Sequence, residues 1–325
     1  MTEVAKQSPA RPAVVLGLTF LLLGATFALP FALLPNPEDL FGGKVSPEVA
    51  NVYAIAAWAG WAHFLYAFRG QGQALSRLKD PARADRLIIG VLVLSAVIAG
   101  LAFIRSSVGV GLFSAVVWIY FIDHFLKAEL SFEGRSFAAD ASWRRWIYSY
   151  QPLIAFTWLS IVLLDVGQIT SHQWLLWTVS IVLATLFLFT SGLRDLGLGS
   201  PRNPLLALFF LAEALVWGTF SRYGGSMFNT GVYIFHIAAG SHFHYLGCYY
   251  VGQARSKDWW LSATGVLLVN LTVIGVGVAT AYLDALRWLR PILGVEWFTL
   301  WVGVHLVASD LFPYIKRSRL TLRSD

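Results

Sequence analysis

The stretch "YIFHIAAGSHFHYLGCYY", residues 233–250, decides how the chain is read. It is apolar enough to cross a bilayer, yet it carries His236, His242 and His244, three of the chain's seven histidines. An imidazole facing lipid tails finds no hydrogen-bond partner, so ionisable groups inside a membrane face protein, water or a ligand.

The rest of the chain supports the spanning reading. Of 325 residues, 57% are hydrophobic and 13% are charged, against about 25% charged in an average soluble domain. Ten apolar runs, at 14–35, 47–68, 87–104, 109–128, 146–167, 172–192, 204–220, 229–252, 259–283 and 296–315, each approach the roughly 20 residues that a helix needs to cross hydrocarbon. The fold class expected is therefore an all-α integral membrane protein, a single polytopic domain over 1–325 with about ten transmembrane helices. With the N-terminus in the cytoplasm, nineteen of the 24 Lys and Arg residues fall on the cytoplasmic side and five on the other. That bias fixes the orientation, with both termini inside. It also explains the net charge of +6 without nucleic acid as a partner. The first run, of about 22 residues, is too long for the core of a cleaved leader and is expected to remain as a helix.

Depth follows from orientation. His63, His124, the pair His242 and His244, and His305 fall in the cytoplasmic half of the second, fourth, eighth and tenth runs. Four helices bringing imidazole to one level, with Cys248 as the sole cysteine, point to a histidine-held iron or zinc rather than a thiolate cluster. At about 100° per residue, His242 and His244 point about 200° apart, so at most two of His236, His242 and His244 can serve one ion. The spacing favours no particular two. A convergence of His63, His124 and His242 is expected from their matched depth on alternating spans. Asp310 follows His305 by five residues and Glu129 follows His124 by five, about 140° round a helix. These carboxylates, with Asp123, are expected to orient a neighbouring ring rather than bind the ion. Trp61, Tyr66, Trp118 and Phe121, with Phe243, Tyr245 and Trp301, flank the histidines and are candidate walls for a flat substrate. On the residues alone, a haem-b or quinone redox carrier and a proton-coupled transporter remain open beside a non-haem oxygenase. A di-iron desaturase is not supported, because no His-x-x-x-His cluster occurs.

"HFLKAE" (His124 to Glu129) and "HLVASDLF" (His305 to Phe312), with "FHIAAGSHF" between them, resemble the Brp/Blh family of integral-membrane β-carotene 15,15′-dioxygenases. The resemblance covers residues 55–325 in motif order and leaves the first helix, 14–35, as an addition. The family's first motif reads His-Gly-x-x-Asp where this chain has "HFLYA", and its paired histidines stand four apart where Ala238 precedes His242. What the resemblance implies is a multi-pass protein of the bacterial plasma membrane. Its histidines would hold Fe(2+), and dioxygen would cleave a carotenoid to retinal.

Overall fold

The computed structural model of the chain describes residues 11–38, 45–77, 83–132, 178, 182, 227–255 and 257–317. The runs at 146–167, 172–192 and 204–220 lie outside this set, apart from Thr178 and Val182. The described residues are helical, with no strand among them. The long helices are α1 (Arg11–Phe27), α2 (Pro47–Ser76), α3 (Arg83–Val108), α4 (Val110–Phe132), α5 (Met227–Arg255), α6 (Ala263–Tyr282) and α7 (Phe298–Arg317). Helices are the form in which a chain satisfies its backbone polar groups inside hydrocarbon. Three stretches, Ala84–Val108, Ala263–Tyr282 and Asp284–Lys316, are long and apolar enough to cross a membrane. The first of them buries none of its apolar window and exposes Ile88, Val91, Leu92 and Phe103.

Local chemistry sets the boundaries. Ser46 and Pro47 open α2. A fixed φ and a missing N–H are harmless at that position. Gly109 alone separates α3 from α4, at φ +86°, accepting from the Phe113 N–H while its own N–H donates to Arg105 O. Only glycine enters that region without steric cost, so the two helices form a hairpin on one residue. The Ser262 hydroxyl caps α6 by accepting from the Gly265 N–H at 3.1 Å. Asp258 caps the preceding turn through the Trp260 N–H at 3.2 Å.

Helix α2 lies at the centre, against α1, α3, α5, α6 and α7. Its sequence explains this position. Ala50, Ala54 and Ala57 join the main apolar core, Val52 and Ala56 meet Leu23 and Ala238, and Ala59 meets Tyr245 and Tyr249. Small residues let helix backbones approach where lipid removes the hydrophobic drive between helices. Gly60 carries this furthest: a Cβ there would lie 2.6 Å from both the Phe298 ring and the Tyr245 hydroxyl.

Two sets of bonds mark the two ends of the bundle. At one end the Trp58 indole donates to Leu293 O at 2.9 Å, Tyr282 to Ala32 O at 2.9 Å and Arg105 to Glu296 O at 3.0 Å. Buried Asn51 pins the loop after α1, accepting from the Leu33 N–H at 2.7 Å and donating to Phe31 O at 2.9 Å. At the other end Arg69 meets Asp258 at 2.6 Å and lies over the Trp260 ring, while Arg86 donates to Lys316 O.

Candidate metal centre

The helix contacts α2–α5, α5–α4, α4–α7 and α7–α2 close a ring of four. The histidines repeat that ring. His63 of α2 meets His244 of α5 with ring centroids 5.0 Å apart, and His244 meets His124 of α4 at 5.4 Å. His124 meets His305 of α7 at 5.3 Å, and His305 returns to His63 at 5.2 Å. His63, His244 and His305 are buried, and His124 is half-buried.

The spacing suits one ion. With a metal–nitrogen bond of about 2.0–2.1 Å and about 1.2 Å from ring nitrogen to ring centre, imidazoles sharing an ion have centroids about 4.6 Å apart at right angles and about 5.3 Å at the tetrahedral angle. The observed edges, 5.0–5.4 Å, run from inside that interval to just past its upper end, while the donor atoms that lie within 4.8 Å of one another among the described residues are those of His63, His244 and Cys248. Some of the ring nitrogens are unpaired among the described residues. Nδ1 of His63 and both nitrogens of His305 are buried with no hydrogen-bond partner among the described residues. A buried polar atom left unpaired costs about 1–3 kcal/mol, and several in one place call for a ligand. Four imidazoles are a donor set for iron, zinc or copper.

Aromatic rings hold the quartet in place. Tyr245 stacks on His63 at 4.9 Å and 23°, and Phe64 stacks on His305 at 4.8 Å and 22°. Phe121 meets His244 edge-on at 5.8 Å, and Trp118 stacks on Phe121 at 4.6 Å. Phe243 packs on Phe125, whose ring is 5.9 Å from His244. Trp61 packs against Trp301 at 4.8 Å, and the Trp301 indole is held by Pro291 O.

Several expected placements are corrected. His242 does not join His63 and His124; His244 takes that position. The two residues lie on opposite sides of α5, as a turn of about 200° requires. His242 is buried elsewhere, 6.5 Å from the Tyr245 ring, and its Nε2 has no partner among the described residues. Asp310 is exposed and accepts from the Tyr120 hydroxyl, not from an imidazole. That bond ties α7 to α4 beside the His124–His305 contact. Tyr66 is an anchor at the bundle end, donating to Trp260 O at 2.7 Å and packing on Tyr249. Asp123 and Glu129 lie on α4 and His236 on α5, with their side chains outside the described residues.

One donor was not foreseen. Cys248 lies one turn beyond His244, its sulfur 3.7 Å from Nε2 and 3.9 Å from Nδ1. With His63 it completes a group whose ligand atoms lie within 4.8 Å of one another. The signal was the i, i+4 spacing in "HYLGC", which puts both side chains on one helix face. No family model, curated protein or solved structure matches the chain.

Proposed function

We propose that this protein is an integral-membrane, non-haem iron oxygenase that cleaves a carotenoid-like polyene. The observation that carries the reading is the closed ring of four histidines from four helices. In this reading the chain crosses the membrane about ten times with both termini in the cytoplasm, and the centre lies in the cytoplasmic half. The motif likeness to the β-carotene dioxygenases supplies the substrate class.

His63, His124, His244 and His305 would hold the ion. A ferrous ion held there would supply the redox chemistry for dioxygen-dependent scission of a carbon–carbon double bond. The reaction balances as one polyene and one dioxygen giving two aldehydes, each new carbonyl taking one oxygen atom. The chain's own residues supply position and dryness. Tyr245 and Phe64 fix the planes of two imidazoles, and Trp118, Phe121 and Phe125 wall off the His244 side from water.

Access for a lipid-soluble substrate has a structural counterpart. An apolar cavity of about 190 Å³ lies between α2, α3 and α7, lined by Phe68, Leu94, Leu311 and Phe312. Phe68 is also 6.1 Å from the His305 ring. The cavity walls include Leu87 and Val91, exposed on the outer face of α3. The packed rings weigh against a haem carrier, since a macrocycle would need the space that His244 and His305 occupy between His63 and His124.

Expression in cells that accumulate β-carotene tests the reading. Loss of pigment with appearance of retinal, abolished by His124→Ala, is expected. Retained pigment in cells whose purified protein holds a full complement of iron would reject the substrate assignment.

A further inference from the structure

We infer that a cleft at the end of the bundle marked by the Trp58–Leu293 bond binds the headgroup of an aminophospholipid, a phosphodiester and a primary ammonium on one short linker. The inference rests on the chain lying in a membrane and not on the metal.

Place comes first. Two of the stretches able to cross a membrane, Ala263–Tyr282 and Asp284–Lys316, meet at this end. A cavity of about 290 Å³ lies at their junction, between Leu34 before α2, Trp58 of α2, Thr280 of α6, and Arg290 and Glu296 ahead of α7. Beside it Leu283, Trp288 and Ile292 are exposed. Tryptophan and apolar side chains exposed at the end of a span mark the headgroup level of a bilayer. A water's share of liquid is about 30 Å³, so the space equals about ten waters, more than an ion needs and near the size of the smallest small-molecule sites.

Chemistry comes second. The cavity floor is apolar or already satisfied, with the Trp58 indole donating to Leu293 O at 2.9 Å and the Thr280 hydroxyl to Val276 O at 2.8 Å. Two opposite charges remain in the wall. Arg290 is half-buried and donates to Ala281 O at 3.3 Å, leaving its other N–H groups unpaired among the described residues. The Glu296 carboxylate lies against Gly294, where a Cβ would come within 2.7 Å of both its oxygens. A residue without a side chain is therefore what lets the carboxylate rest there. No ion pair joins Arg290 to Glu296 among the described residues. The neighbouring cation, Arg105, donates to the backbone oxygen of Glu296 at 3.0 Å and lies over the Trp297 ring.

The cleft thus holds a cation and an anion that do not neutralise each other. A simple anion would satisfy Arg290 and be repelled by Glu296, and a simple cation the reverse. A zwitterion satisfies both. The guanidinium fork matches a phosphate, and a primary ammonium offers N–H donors to the carboxylate. Soluble phosphoethanolamine carries the same two groups, but the exposed apolar rim finds a partner only in acyl chains, which selects the lipid.

Lipid titration of the delipidated full chain in detergent, read by native mass spectrometry, tests this. Wild type should bind phosphatidylethanolamine about tenfold more tightly than phosphatidylglycerol, which lacks the ammonium, or phosphatidylcholine, whose ammonium has no N–H; that is the size of one charge-assisted hydrogen bond. Glu296→Gln should erase the preference, and Arg290→Gln should weaken all three lipids. Equal binding of the three lipids by wild type, a result that needs no variant to fold, overturns the site. Soluble phosphoethanolamine displacing the lipid at equal concentration overturns the lipid as its source. Metal content of the same samples keeps the two readings apart, since lipid selectivity without metal upholds this site while rejecting the histidine centre.

Discussion

At the scale of single residues, the structure separates His244 from His242. His244→Ala should remove metal from the purified protein, whereas His242→Ala should retain it, as measured by elemental analysis. Equal loss in both would mean that α5 presents a different face. The sequence offers grounds to expect that imidazoles converge, because depth follows from the expected span boundaries. It did not show which residue of the "HFH" triplet turns inward. Matched depth alone favoured His242, but helix phase is set by what packs against α5, and α1 and α2 are far away in sequence. Asp310 was misplaced for a similar reason. Its spacing from His305 excludes a shared ion, but the Tyr120 hydroxyl that it meets is 190 residues away.

At the scale of elements, two glycines and one ion pair carry predictions. Gly60→Ala drives a Cβ into Phe298 and Tyr245, both buried, and should cost about 1–3 kcal/mol as overpacking does. Tyr245 braces His63, so weaker metal retention should accompany the lower thermal midpoint. An unchanged midpoint would show that α2 and α7 separate freely. Gly109→Ala places a Cβ in the left-handed region and should cost about 1–2 kcal/mol with no change in metal content. The Arg69–Asp258 pair ties α2 to the α5–α6 connection. The bond from Arg69, then the Trp260 N–H, holds the Asp258 carboxyl below its ordinary value of 3.8. A depressed carboxylate stabilises above its unfolded value, and that stabilisation is lost as pH falls through the folded one. The gap in thermal midpoint between wild type and Arg69→Gln should therefore be steady at neutral pH and close below pH 3.8. A gap that persists there would mean that Arg69 acts only through its stacking on Trp260. These elements were partly legible. The apolar runs located α2 to α7, but the one-residue α3–α4 turn and the Ala face that centres α2 become visible only once the neighbours are placed.

At the scale of the whole molecule, the bundle resolves a conflict in the sequence. Apolar helices that face lipid gain little by burying one another, yet four of them converge on polar rings that need partners. The shared ion proposed above would reconcile the two, because it would satisfy the imidazoles and tie together helices separated by some 240 residues of chain, from His63 to His305. The polyene substrate is the step that the sequence suggests by likeness alone, and it stands or falls by its own assay. The metal is the claim from which the rest follows. Its most direct test is the metal content of the detergent-purified full chain after reconstitution with ferrous iron. One tightly held ion per chain is predicted, lost in each of His63→Ala, His124→Ala, His244→Ala and His305→Ala while the variants remain folded. A wild-type chain that folds and retains no metal, or four variants that all retain it, would contradict the account.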